Sequence, residues 1–192
     1  MKNLRKTLKD ESFGPVIRRF FINTLFDSTF MLLGIIVGSA FAANAGLNII
    51  VVTMLTTSLA LGISTGVSVY EAESLEQEKK ISDLEKALFT DLQDTTILKK
   101  AKTTIWLATI INFATPLLSC SIAISPFIFV AIGALQIETA SWVSVMFALS
   151  TLFTAGVYMG RLGKTNPYKK GLRMVAFGIL AFALGFLLDT LV

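Results

Sequence analysis

The chain has 192 residues, of which 54% are hydrophobic and 16% charged, and its mean hydropathy is +0.71. That balance excludes an ordinary soluble domain and fits a membrane protein with room for about five spans of roughly 20 residues. The single cysteine, Cys120, excludes an intrachain disulfide, and the absence of histidine removes the commonest transition-metal ligand.

In chain order, the first apolar stretch covers about 16–43 and follows the mixed-charge segment MKNLRKTLKDESFG. Its span length argues against a cleavable signal peptide. The second stretch covers about 48–70. Residues 71–102 form the one sizeable polar segment, in which Ile81, Leu84, Leu88 and Leu92 recur at helical spacing with charge on the other faces. This predicts a helical extension of the second span, followed by a short second helix after Asp94. A third span is expected over about 103–132, bent or broken near Pro116 and Pro126. The fourth and fifth are expected over about 141–160 and 172–191. The fold class is therefore an all-α integral membrane protein, with five transmembrane helices in a single domain.

The charges supply a topology. Six of the 17 basic residues precede the first span (Lys2, Arg5, Lys6, Lys9, Arg18 and Arg19). Six more lie between spans two and three (Lys79, Lys80, Lys86, Lys99, Lys100 and Lys102), and five between spans four and five (Arg161, Lys164, Lys169, Lys170 and Arg173). With five spans all fall on one side, which the positive-inside rule makes cytoplasmic. The N-terminus and the 71–102 extension are then cytoplasmic. The basic pI of about 9.3 is a topology signal, and no nucleic-acid partner is expected.

Asn23, Asp27, Met31, Gly34 and Gly38 share one stripe of the first span. An unpaired carboxylate in mid-helix costs about 2.5–3.5 kcal/mol, so Asp27 should face a partner or an aqueous path. It could instead be a structural group bonded to Asn23 or to a span-two hydroxyl. It could also lie shallow, only about 12 Å along the helix from Arg19. Gly34-x-x-x-Gly38, Gly62-x-x-x-Gly66 and Gly156-x-x-x-Gly160 permit close helix approach, either within one bundle or between copies. Thr53, Thr57, Ser64 and Ser68 form a hydroxyl row on span two. Asn112, Thr115 and Ser119 form another on span three, beside the carbonyls that Pro116 would free. Such rows line polar paths or bond back to carbonyls one turn earlier. Glu71, Glu73, Glu76 and Glu78 cluster where span two leaves the membrane. Of these, Glu73 and Glu76 are i,i+3 neighbours able to share a divalent cation or simply to form a solvated face. No nucleophile–base pair or phosphate loop occurs, so an enzyme is not expected.

The stretches LFDSTFMLLGIIVG, LALGISTGVSVYEAESLEQEKKISDLEKAL, ISPFIF and NPYKKGLRMVAFGILAFALGFLL resemble, in that order and spacing, the vacuolar iron transporter family, notably its short prokaryotic and archaeal members. The resemblance runs over about 20–190. It implies a homodimer of five-span subunits with the ion path between the first and second spans of the two copies. It also implies export of Fe2+ or Mn2+ from the cytosol in exchange for protons. Asp27 falls at the family's intramembrane metal-binding aspartate, and Glu73 and Glu76 at acidic positions opening the metal-collecting helix. Asn23, Ser64, Thr65, Ser68 and Asn112 would then be path-lining, and Gly34, Gly38, Gly62 and Gly66 would serve dimer or helix packing. The sequence departs from the family pattern in three places. Ser64-Thr65-Gly66 stands where better-known members read Ser-Met-Gly, and Val69 replaces a glutamate. The polar segment lacks the methionine-bearing insertion. Met31, one turn from Asp27, is the alternative source of sulfur.

The expected function is thus divalent-metal export, with no permanently bound cofactor and with Fe2+ or Mn2+ as cargo. The partners are the lipid bilayer, a second copy and the metal. The membrane is the plasma membrane in a prokaryote and an organelle membrane in a eukaryote. The alternatives are a diverged member carrying another solute and a non-transporting membrane scaffold that docks a partner on 71–102.

Overall fold

The computed structural model describes residues 14–40, 46–90, 92, 95–163 and 165–191. The N-terminal charged segment, Asn44, Asp94 and Lys164 lie outside the described residues. Five helices follow one another: α1 (Gly14–Ile35), continued by a π-helical turn (Ile36–Ala40); α2 (Leu47–Leu88); α3 (Thr96–Ala131); α4 (Ile137–Leu162); and α5 (Pro167–Leu191). Each is long and apolar enough to cross a membrane, and no strand occurs among the described residues. In hydrocarbon only a helix satisfies every backbone group within its own segment, so composition alone nearly dictates this outcome.

Of two expectations about helix ends, the helical extension of span two holds and the separate short helix changes. The polar extension is the last part of one unbroken 42-residue helix, α2, and the expected short second helix is the opening of α3, which runs on into the third span. Between them the chain reverses at Phe89, whose φ of +50° is the one positive value outside glycine among the described residues. The Leu92 N–H donates to Glu85 Oε1 (3.0 Å), tying the turn back to α2.

Of the bend or break expected at the prolines, the break does not occur. α3 is helical throughout, with Pro116 and Pro126 inside it. A proline in a helix leaves the carbonyl four residues earlier without its N–H partner. Here both orphaned carbonyls find hydroxyl donors: Thr65 Oγ1 donates to the Asn112 carbonyl (3.3 Å), and Ser125 Oγ donates to that of Ile122 (2.8 Å).

The chain forms two compact units, 1–24 with 61–115 and 25–60 with 116–192, whose boundaries fall inside α1, α2 and α3. In the first unit α2 buries Gly62, Gly66, Val69 and Glu73 along one face. Gly62 and Gly66 lie against Phe113 of α3, and the Tyr70 and Trp106 rings meet with centroids 5.7 Å apart. In the second unit, Leu32, Leu33 and Ile36 of α1 pack with Ile50, Met54, Cys120, Phe127, Val145 and Leu152. There α4 and α5 approach closely enough that a Cβ at Gly156 would stand 2.8 Å from Gly171 Cα, and one at Gly160 2.5 Å from Pro167 Cα.

Candidate functional site

Helix α1 is polar on two sides. One side, at i,i+4 spacing, carries Asn23 and Asp27, both exposed on the surface of the chain. Gly34 and Gly38 continue it, and a Cβ at either would meet nothing within 4 Å. Met31, on the same stripe, is half-buried. Within a membrane-length helix, then, a carboxylate, a carboxamide and two glycines share an exposed face.

The other side of α1 carries Thr24 and Ser28, also one turn apart, and both are buried. In the first unit Thr24 Oγ1 donates to Asn112 Oδ1 (2.6 Å), while Asn112 Nδ2 donates to the Ala108 carbonyl (2.8 Å). In the second unit the Ser28 and Ser119 hydroxyls are 2.9 Å apart. Asn112 is fully buried in this arrangement.

On α2, Ser64 and Ser68 are exposed. Thr65, half-buried, bonds back to the Leu61 carbonyl (2.8 Å) as well as to Asn112, and Thr57 bonds back to Thr53 (2.6 Å). These last two hydroxyls satisfy helix carbonyls, the ordinary role of threonine in a span. Gly62 and Gly66 pack inside the chain, in contrast to Gly34 and Gly38. A Cβ at Gly62 would stand 2.7 Å from the Phe113 carbonyl oxygen.

Glu73 and Glu76 turn to different partners. Glu73 is buried (4% exposed) on the face of α2 that holds Gly62 and Gly66, and its Oε1 accepts from Gln77 Nε2 (2.7 Å). Glu76 is exposed and pairs with Lys80 (3.2 Å). Glu71 and Glu78 are exposed. Among the described residues no three acidic or cysteine side chains gather closely enough to hold a metal. Asp27 lies in the first membrane-length helix and Glu73 in the polar extension.

Sequence reasoning passed over Thr24 and Ser28. The available signal was their i,i+4 spacing one residue after Asn23 and Asp27, the mark of a second polar stripe about 100° around the helix. It also treated Cys120 as packing alone. That thiol is buried and donates to the Met54 carbonyl (3.4 Å).

Two comparisons with known proteins bear on these helices. Residues 72–189 match the family model described as the VIT family. An uncharacterised protein of Methanocaldococcus jannaschii is 27% identical over 187 residues, covering 96% of this chain and 92% of that protein.

Proposed function

We propose, on the premise that the chain belongs to the VIT family of vacuolar iron transporters, that it exports a divalent metal, Fe2+ or Mn2+, from the cytosol in exchange for protons, along a path between two copies of the chain. The family consists of membrane transporters and not of enzymes.

The observation that carries this reading is the open face of α1. Asp27 and Asn23 are exposed there inside a helix of span length, and a Cβ added at Gly34 or Gly38 further along would meet nothing within 4 Å. Lipid on that face would leave a carboxylate in hydrocarbon at a cost of about 2.5–3.5 kcal/mol. A second copy packed through the glycines would replace lipid with protein and bring two Asp27 carboxylates to one axis. Paired carboxylates are hard oxygen ligands suited to Mn2+ and adequate for Fe2+. A metal needs the ionised carboxylate, so protons compete with it for the same oxygens, and that competition couples the two fluxes. The half-buried Met31 sulfur, one turn away, is the soft ligand that would favour Fe2+.

The basic residues support the orientation. Arg18 and Arg19 open α1, Lys79 to Lys102 surround the α2–α3 turn, and Arg161 to Arg173 surround the α4–α5 turn. The positive-inside rule then sets these ends in the cytosol, with Glu73 and Glu76 at the cytosolic mouth to collect metal. In a prokaryote the membrane is the plasma membrane.

The test is Fe2+ and Mn2+ flux into sealed proteoliposomes, wild type beside Asp27→Asn, with a pH gradient imposed in each direction. Wild-type flux that follows the gradient and vanishes in Asp27→Asn is expected. No flux of either metal from folded, reconstituted protein would overturn the metal reading in favour of a diverged carrier of another solute or a scaffold. The observation favouring that second reading is Thr65, whose hydroxyl is spent on helix carbonyls where other members hold a thioether.

A further inference from the structure

The open face of α1 raises a physical question. Apolar side chains alone give a membrane helix little reason to present one side to its bundle, because lipid tails are as apolar as leucine. Rotation about its axis must be set by packing and by polar contacts. Two side-chain hydrogen bonds of α1, one turn apart, go to α3: Thr24 to Asn112 and Ser28 to Ser119.

We propose that Asn112 and Ser119 are positioning residues for α1: by holding Thr24 and Ser28 they fix the rotation of the helix, and so aim Asp27 out of the bundle. This rests on the reading of Asp27 as the metal site.

Each contact has the features of a register pin. Thr24, Ser28, Asn112 and Ser119 are all at most 4% exposed, so water does not compete for their hydrogen bonds. The carboxamide of Asn112 is oriented before it meets α1, because its Nδ2 is already committed to the Ala108 carbonyl in its own helix, leaving Oδ1 toward Thr24. Asn23 and Asp27 each directly precede a pinned residue, so they stand about 100° from the pins. Turning α1 by one residue position would carry Asp27 into the seam and leave Asn112 without its donor. Gly34 and Gly38 lie on the other stripe, where an added Cβ would meet nothing within 4 Å.

The contacts are also separable from folding. Thr24→Val keeps the shape of the side chain and removes the donor, and Ser28→Ala removes the hydroxyl. Thr24→Ser keeps a hydroxyl donor at 24. Hydrogen bonds between membrane helices contribute modestly on average, so the double variant should still insert and fold.

The experiment has two arms on full-length protein in proteoliposomes. In the first, single cysteines are placed at 23 and 27 in a Cys120→Ala background, and their labelling rate with a water-soluble maleimide is compared with and without Thr24→Val/Ser28→Ala. A change in the relative rates of the two positions of about threefold or more is expected, reversed when Thr24→Ser replaces Thr24→Val. Unchanged relative rates would overturn the proposal. In the second arm, with native Asp27, the same double variant should raise the KM for Mn2+ about fivefold at similar maximal flux, the scale of two such hydrogen bonds. Equal loss of flux at all metal concentrations with unchanged labelling would mean a structural role only, and would also overturn it. If wild-type protein carries no metal, the function proposed above fails, while the labelling arm still decides the rotation of α1.

Discussion

A Cβ added to Gly62 would lie 2.7 Å from the carbonyl oxygen of Phe113, a distance at which backbone must move. That glycine is where α2 and α3 touch, and the touching group is main chain, which cannot swing aside as a side chain would. Gly62→Ala is therefore expected to destabilise the fold by about 1–3 kcal/mol, the usual cost of overpacking. A lowered midpoint of thermal unfolding in detergent, with no change in the order of the spans, is the measurement.

Gly34 gives the contrasting case. Nothing in the chain stands within 4 Å of its would-be Cβ, so Gly34→Ala should leave the unfolding midpoint of the monomer where it was. If that face meets a second copy, Gly34→Leu should lower the yield of dimer in cross-linking of bilayer-reconstituted protein. An undiminished dimer yield would place the contact between copies elsewhere.

The two glutamates of the polar extension should separate. Glu76 pairs with Lys80 in an exposed i,i+4 pair worth about 0.3–0.5 kcal/mol, so Glu76→Gln is expected to be silent for stability. Glu73 is buried and holds the Gln77 amide. Glu73→Ala should cost about 1–3 kcal/mol, because it strands that amide. Should Glu73 also collect metal, Glu73→Gln would raise the KM for Mn2+ without abolishing flux, in contrast to Asp27→Asn.

The α2–α3 turn is tied back to α2 by a glutamate side chain. Glu85 Oε1 accepts the Leu92 N–H at 3.0 Å, and Phe89 holds a left-handed φ of +50°. Glu85→Ala should speed amide exchange at Leu92. Phe89→Gly should stabilise the turn slightly, because glycine enters that region without strain. Hydrogen exchange followed by mass spectrometry reads both.

Hydroxyls at the prolines account for the continuity of α3. Thr65→Val should leave the Asn112 carbonyl unpaired, and Ser125→Ala that of Ile122. Each is expected to lower stability by about 1–2 kcal/mol, near the cost of an unmet carbonyl in a span. Replacing Pro116 with Ala in the Thr65→Val background should restore most of that loss, since the helix then supplies its own N–H. No restoration would show that Thr65 acts by some other contact.

Several features were legible in the amino-acid order. Five runs of apolar residues predicted five helices, because hydrocarbon tolerates no unpaired backbone and a helix pairs its own, and the place of Asp27 within the first run singled it out. The stripe of Asn23, Asp27, Gly34 and Gly38 could be drawn from spacing alone. The sequence could not show that this stripe is open while the Gly62-x-x-x-Gly66 pair is closed. Both read as the same motif, and only the neighbouring helix distinguishes them.

What the sequence determined by itself, then, is the number of membrane-length helices, the family resemblance and the carboxylate within the first of those helices, since these follow from length, hydropathy and local order. The tertiary structure decided the rest. It decided which side of α1 turns inward, the side on which Thr24 and Ser28 meet Asn112 and Ser119. It decided that Pro116 and Pro126 interrupt nothing, because Thr65 and Ser125 reach the carbonyls they strand. The physical reason is common to both. In an apolar medium the side chain's hydropathy sets that a helix forms, but rotation and continuity are set by hydrogen-bond partners, and for Asn112 those partners lie 47 and 88 residues away.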